Sequence, residues 1–181
     1  MFVNKMKRTG ISVLGLALVI SLIPVASYAQ TATDEPVNSE GCTMAKARIA
    51  THKTAVTALQ TERTAKYAAI KSKVDTFVSS ATEANYTDVV KLTAARDIVT
   101  TAISDYAAQA KVYVTTLEKA QAAPCGEGTG EFISALAIAR AELKTLRTDG
   151  LAVKTAVKQN AVPALREYAT WLKANATKES L

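Results

Sequence analysis

The sequence predicts an all-α protein, an antiparallel up-down-up bundle of three long helices, and three observations carry that prediction. Apolar residues recur at threes and fours through three separate segments. Residues 43–123 hold neither glycine nor proline, in a composition dominated by Ala and Thr, and alanine is the strongest helix former. The chain's two cysteines, Cys42 and Cys125, lie almost equally far from the polar stretch Thr82-Glu83-Ala84-Asn85. Folding the chain back there lays the first segment antiparallel to the second and brings both thiols to one end. A disulfide closing that helical hairpin is the expectation, and it implies an oxidising compartment.

Residues 1–29 read as a secretory signal peptide. Lys5, Lys7 and Arg8 form a positive n-region, Ile11 to Ile23 is apolar, and Ser27-Tyr28-Ala29 offers small residues at the −3 and −1 positions. The apolar run is shorter than the ~20 residues of a spanning helix, and no later run is long enough either. Without the leader, 19 basic residues face 16 acidic ones. That mild basicity falls short of a nucleic-acid-binding composition. Residues 30–41 are polar, acidic and aperiodic, and read as a flexible tail ahead of a helical domain over 42–181.

The first helix is expected from about Thr43 to Ala81, with Val56, Leu59, Tyr67, Ile70, Val74 and Phe77 on its apolar face. Arg63 interrupts that seam, and its guanidinium is expected to snorkel outward. Asn85 offers an N-cap for the second helix, with Asp88 three residues on as in a capping box. In this helix Leu92, Val99, Tyr106, Tyr113 and Ala120 recur every seven residues, and Ile103, Ala110 and Leu117 fill the complementary position. Pro124 through Gly130 break the chain.

The third segment starts near Glu131. Phe132, Leu136, Ala139, Leu143, Leu146, Gly150, Val153 and Val157 alternate fours and threes without losing phase. The helix is therefore expected to run through Asp149-Gly150; a turn there would split the segment and give four helices. Pro163 should kink or locally end it.

Chemistry-bearing motifs are scarce. A redox role for the cysteines would need a Cys-x-x-Cys at a helix N-terminus, and none is present. His52 is the chain's single histidine and lacks the cysteines or carboxylates of a zinc site, so no metal or other cofactor is expected. There is no Gly-x-Ser-x-Gly and no di-iron carboxylate pattern, so no catalytic residue is expected. Asn85-Tyr86-Thr87 and Asn175-Ala176-Thr177 are glycosylation sequons, a pattern common by chance.

The most suggestive surface feature is basic. Arg140, Lys144, Arg147, Lys154 and Lys158 each follow a core position by one residue and so line one flank of the third helix, with Glu142 and Asp149 on the other. One reading is an edge about 27 Å long, at 1.5 Å per residue, for an acidic protein or an anionic envelope component. The other is cross-bundle pairing with Asp88, Asp97, Asp105 or Glu118, as charges beside a heptad seam often do. The function expected is that of an exported, non-enzymatic helical protein with an interaction or structural role in the cell envelope. A chaperone-like or ligand-sensing bundle is the alternative within that class, and a cofactor-binding electron carrier or enzyme the alternative outside it. No spacing in the chain names the partner or the oligomeric state.

Overall fold

The computed structural model describes residues 39–125 and 130–176; the leader, residues 30–38 of the tail, the loop 126–129 and residues 177–181 lie outside the described residues. Helix α1 spans Ser39–Glu83, α2 Val89–Ala122, α3 Gly130–Ala156 and α4 Val162–Ala176. A single π-helical stretch, Val157–Ala161, joins α3 to α4 without reversing the chain, so the three form one rod. The architecture is the antiparallel three-helix bundle, with α2 packed against both α1 and the α3–α4 rod.

Each heptad of α2 lands where its period requires. Leu92, Val99, Tyr106, Tyr113 and Ala120 are all buried, as are Ala110 and Leu117. They divide the core into three levels. At the cysteine end Cys42, Ile49, Tyr113, Leu117 and Phe132 pack together with Tyr106 and Leu146. Mid-bundle, Val74, Val99, Val157 and Ala161 meet. At the far end Val78, Ala81, Leu92 and Tyr168 enclose Tyr86. The buried residues of the middle level are all valine or alanine. The Cys42–Cys125 disulfide closes the first level, with the Cα atoms 5.7 Å apart.

Helix α1 starts at Ser39, so Ser39, Glu40 and Gly41, read from sequence as the end of the tail, are helical. Glu40 in the first turn favours the helix dipole, and Cys42 is fully buried and tied to the end of α2. The anchoring extends the helix beyond what propensity alone suggests.

Asn85 is not the N-cap of α2. It takes a left-handed conformation, φ 53°, and closes α1 instead. The Tyr86 N–H donates to the Ala81 carbonyl at 2.9 Å and the Asn85 N–H to the Thr82 carbonyl at 3.1 Å. That pair of bonds is a Schellman motif with asparagine at its left-handed position. Tyr86 and Ala81 supply the apolar contact that accompanies it, both buried in the same cluster. Asp88 occupies the N-cap position of α2, without a side-chain capping bond.

The third segment runs straight through Gly150. The edge of the Tyr106 ring lies over that glycine, 3.6 Å from where a Cβ would stand. The perturbation falls at Pro163, and its form is a widened turn rather than an end. The Val162 N–H bonds the Val157 carbonyl, five residues back. A proline at 163 has no N–H for the Gln159 carbonyl and its ring would collide with it; the π-helical turn relieves both problems.

Candidate functional site

The basic flank occupies a definite side of α3. Gln109 of α2 donates to the backbone carbonyl of Glu142 at 3.3 Å and to its carboxylate, so the acidic flank of α3 faces α2. Arg147, on the basic flank, lies close enough to His52 of α1 and Tyr113 of α2 for its charge to act on both. At Arg147 the basic flank thus comes near α1. Arg140, Lys144, Arg147 and Lys158 are exposed and Lys154 is half-buried.

None of these five side chains makes an ion pair among the described residues. Three of the four acids that could have taken them are engaged elsewhere: Glu118 with Lys53 at 3.6 Å, Asp88 with Lys91 at 3.2 Å, and Asp97 with its neighbour Arg96 at 2.7 Å; the fourth, Asp105, is exposed and pairs with none of the five. Geometry explains why. Asp88 and Asp97 are taken by cations close in sequence, since short local pairs cost less side-chain entropy than bridges across a bundle, while Glu118 reaches Lys53 of α1.

At its midpoint the basic flank meets a polar seam built by α1 and α2. His52 and Arg63 stand in phase with Ile49, Val56 and Tyr67 on the core-facing side of α1, where the structure leaves them half-buried. The His52 Nε2 is 2.8 Å from the Tyr113 hydroxyl, with the two rings edge to face. Arg63 does not snorkel outward as expected; its Nη1 donates to the Tyr106 hydroxyl at 3.2 Å, and Tyr67 stands edge-on to the same ring. Both tyrosines are 2% exposed, so each buries its ring and presents its hydroxyl to a side-chain nitrogen of α1.

Burial, reinforced by the Arg147 charge, lowers the His52 pKa below its ordinary 6.5. Burial raises Tyr113 above 10.0 against the opposing pull of Arg147. The result is a row of positive or potentially positive groups, His52, Arg63 and Arg147, with neutral hydroxyls between them. Its chemistry suits an anionic oxygen group: guanidinium donors in a planar fork, an imidazole that becomes a donor at both nitrogens when charged, and a partly dry setting that strengthens each bond.

This convergence was not legible from spacing on α3 alone. The signal available in the sequence was the phase of His52 and Arg63, two polar residues at core positions of one seam.

A second cluster lies at the far end, where Tyr86, Tyr168 and Trp171 pack with ring centroids 5.1–6.2 Å apart. Beside it is an open groove of about 550 Å³, bordered by Asp88, Lys91, Arg166 and Glu167. Lys91 reaches both Asp88 and Glu167 there, at 3.2 and 3.9 Å, so its charges are matched within the groove. Of the two sequons, Asn85 is exposed in the interhelix turn, whereas the Asn175 amide donates to the Trp171 carbonyl at 2.9 Å and is half-buried. Among the described residues no group of three or more His, Cys, Asp or Glu side chains converges as a metal site would, and no helix is long and apolar enough to cross a membrane.

Comparison with protein-family models, with curated proteins and with solved structures finds no match to this chain.

Proposed function

We propose that this is an exported, non-enzymatic helical protein that binds an anionic component of the cell envelope through the α3 flank Arg140, Lys144, Arg147, Lys154 and Lys158. The observation that carries the reading is the absence of ion-paired partners for all five among the described residues, while Asp88, Asp97 and Glu118 pair with other cations. Like charges held in line along one helix repel one another, and an external anion offsets that repulsion. The buried disulfide supports an oxidising location, and residues 1–29 supply the export signal read from the sequence.

The test reverses Arg147, Lys154 and Lys158 to Glu together and measures binding to vesicles rich in anionic lipid and to anionic wall polymer. Wild-type binding should fade as salt rises, since exposed charges are screened beyond about 8–10 Å at physiological ionic strength. The triple variant should lose binding and keep its helical circular dichroism, because solitary surface charges contribute little to stability. Unchanged binding in a folded variant overturns the reading.

A further inference from the structure

We infer that the ligand of the basic flank is a linear polyanion lying along the seam between α1 and α3, with one of its anionic groups held at the point where Arg147 and His52 converge on Tyr113. This rests on the flank being a binding surface, as proposed above, and adds the shape of the ligand and its innermost contact.

The first argument comes from where the cations are not. The ridge of α3 that points directly away from the core carries Ala141, Thr145, Thr148, Ala152, Thr155 and Gln159, all exposed and all uncharged. A flat membrane approaching α3 meets that neutral ridge before it meets the cations. The basic row lies to one side, toward α1, over about 27 Å at 1.5 Å per residue. A chain-like ligand follows such a line; a planar surface cannot reach along its inner edge. Leu151 sits within the same row, between Arg147 and Lys154, and is 59% exposed, giving an uncharged stretch of a polymer backbone an apolar contact.

The second argument is the unused bonding capacity at the row's midpoint. The Arg147 guanidinium has five N–H donors and no acceptor among the described residues. His52 is oriented by its 2.8 Å contact with the Tyr113 hydroxyl through Nε2, which leaves Nδ1 for a ligand. The charged or titratable groups around His52 are Tyr113 on α2, Arg147 on α3 and, on α1, Arg48 one turn earlier and Lys53 beside it. Of the carboxylates nearby, Glu118 is taken by Lys53. An anionic group seated here relieves the repulsion between Arg147 and protonated His52.

That arrangement fixes the pH dependence. In the free protein burial and Arg147 disfavour the charged form of His52 and lower its pKa. A bound anion favours the charged form and raises the pKa again. The complex therefore takes up a proton as pH falls, and affinity increases through that window.

The experiment measures binding of the mature protein to two soluble polymers, inorganic polyphosphate and polygalacturonate, beside orthophosphate, galacturonate and anionic vesicles. At least one polymer should bind ten-fold or more tightly than its monomer. Arg147→Gln should weaken that polymer by about ten-fold, the loss of a charge-assisted, bidentate contact. His52→Gln should remove the gain in affinity between pH 7.5 and 5.5 and should weaken binding at pH 7.5 less than Arg147→Gln does, since one neutral donor rather than a charged fork is lost. Lys154→Gln, outside the convergence point, should weaken binding less than Arg147→Gln and serves as a second folded probe of the row. Vesicle binding without polymer binding overturns this inference and leaves the flank reading standing. Equal polymer binding in wild type, Arg147→Gln and His52→Gln overturns the convergence point, and absence of binding to any probe overturns both.

Discussion

Gly150 shows how one side chain on a neighbouring helix sets the meaning of a residue. Glycine costs a helix interior about 1 kcal/mol relative to alanine, since it has more conformational freedom to lose. Here the Tyr106 ring covers it, yet a Cβ would lie 3.6 and 3.8 Å from the nearest ring atoms, ordinary contact distance. Space therefore does not require the glycine. Gly150→Ala should stabilise the bundle by about 0.5–1 kcal/mol, read as a higher urea midpoint at unchanged slope. A lower midpoint would mean that the Tyr106 ring cannot accept even this contact. His52 obeys the same logic in polar form: its half-burial and Arg147 lower its pKa, and neither Arg147 nor Tyr113, its hydrogen-bond partner, is its neighbour in sequence.

At the scale of the element, the two irregularities of the chain each have a local cause. The α1–α2 connection depends on one residue accepting φ 53°, and Asn85 is, after glycine, the type best suited to that conformation. Asn85→Ala should therefore destabilise by about 1 kcal/mol, whereas Asn85→Gly should be neutral or slightly stabilising. Equal loss in both variants, measured by chemical denaturation, would show that the asparagine side chain rather than the backbone angle matters. The π-helical stretch before Pro163 answers a different constraint. The chain widens one turn so that the rod can pass a proline and carry Tyr168 and Trp171 onto the far-end core. Periodicity alone could show that the apolar face resumes after Pro163, but not how the backbone gets there.

At the scale of the molecule, the disulfide is the longest-range constraint. It joins residues 83 apart in sequence and fastens the start of α1 to the segment after α2, at the level of the bundle where α1 has mostly half-buried contacts. Cross-linking a loop of that length restricts the unfolded chain and stabilises by roughly 4 kcal/mol in the chain-entropy view. Replacing both cysteines with serine should lower the unfolding free energy by about 2–4 kcal/mol and leave the helical circular dichroism of the folded state in place. An unchanged denaturation midpoint would show that packing alone holds that end together. Charge is also distributed at this scale: the acidic side of α3 turns to α2, and α3 carries its own cations along the opposite flank, where Arg147 comes near His52 of α1.

The sequence by itself determined the helices, their order and the cysteine pair. Heptad phase survives from Leu92 to Ala120 and from Phe132 to Val157 because a long helix can bury only one stripe, and that stripe must repeat every three or four residues. The same spacing placed five cations on one flank of α3. Tertiary structure decided the rest. Whether Asn85 ends one helix or begins the next turns on which carbonyls its neighbours reach once Tyr86 is buried. Whether Arg63 faces water or a tyrosine depends on α2, which supplies the Tyr106 hydroxyl from 43 residues away. The meeting of His52, Tyr113 and Arg147 draws one residue from each of three helices. A helical period records which side of its own axis a residue occupies, while the neighbour on that side is fixed only when the helices pack.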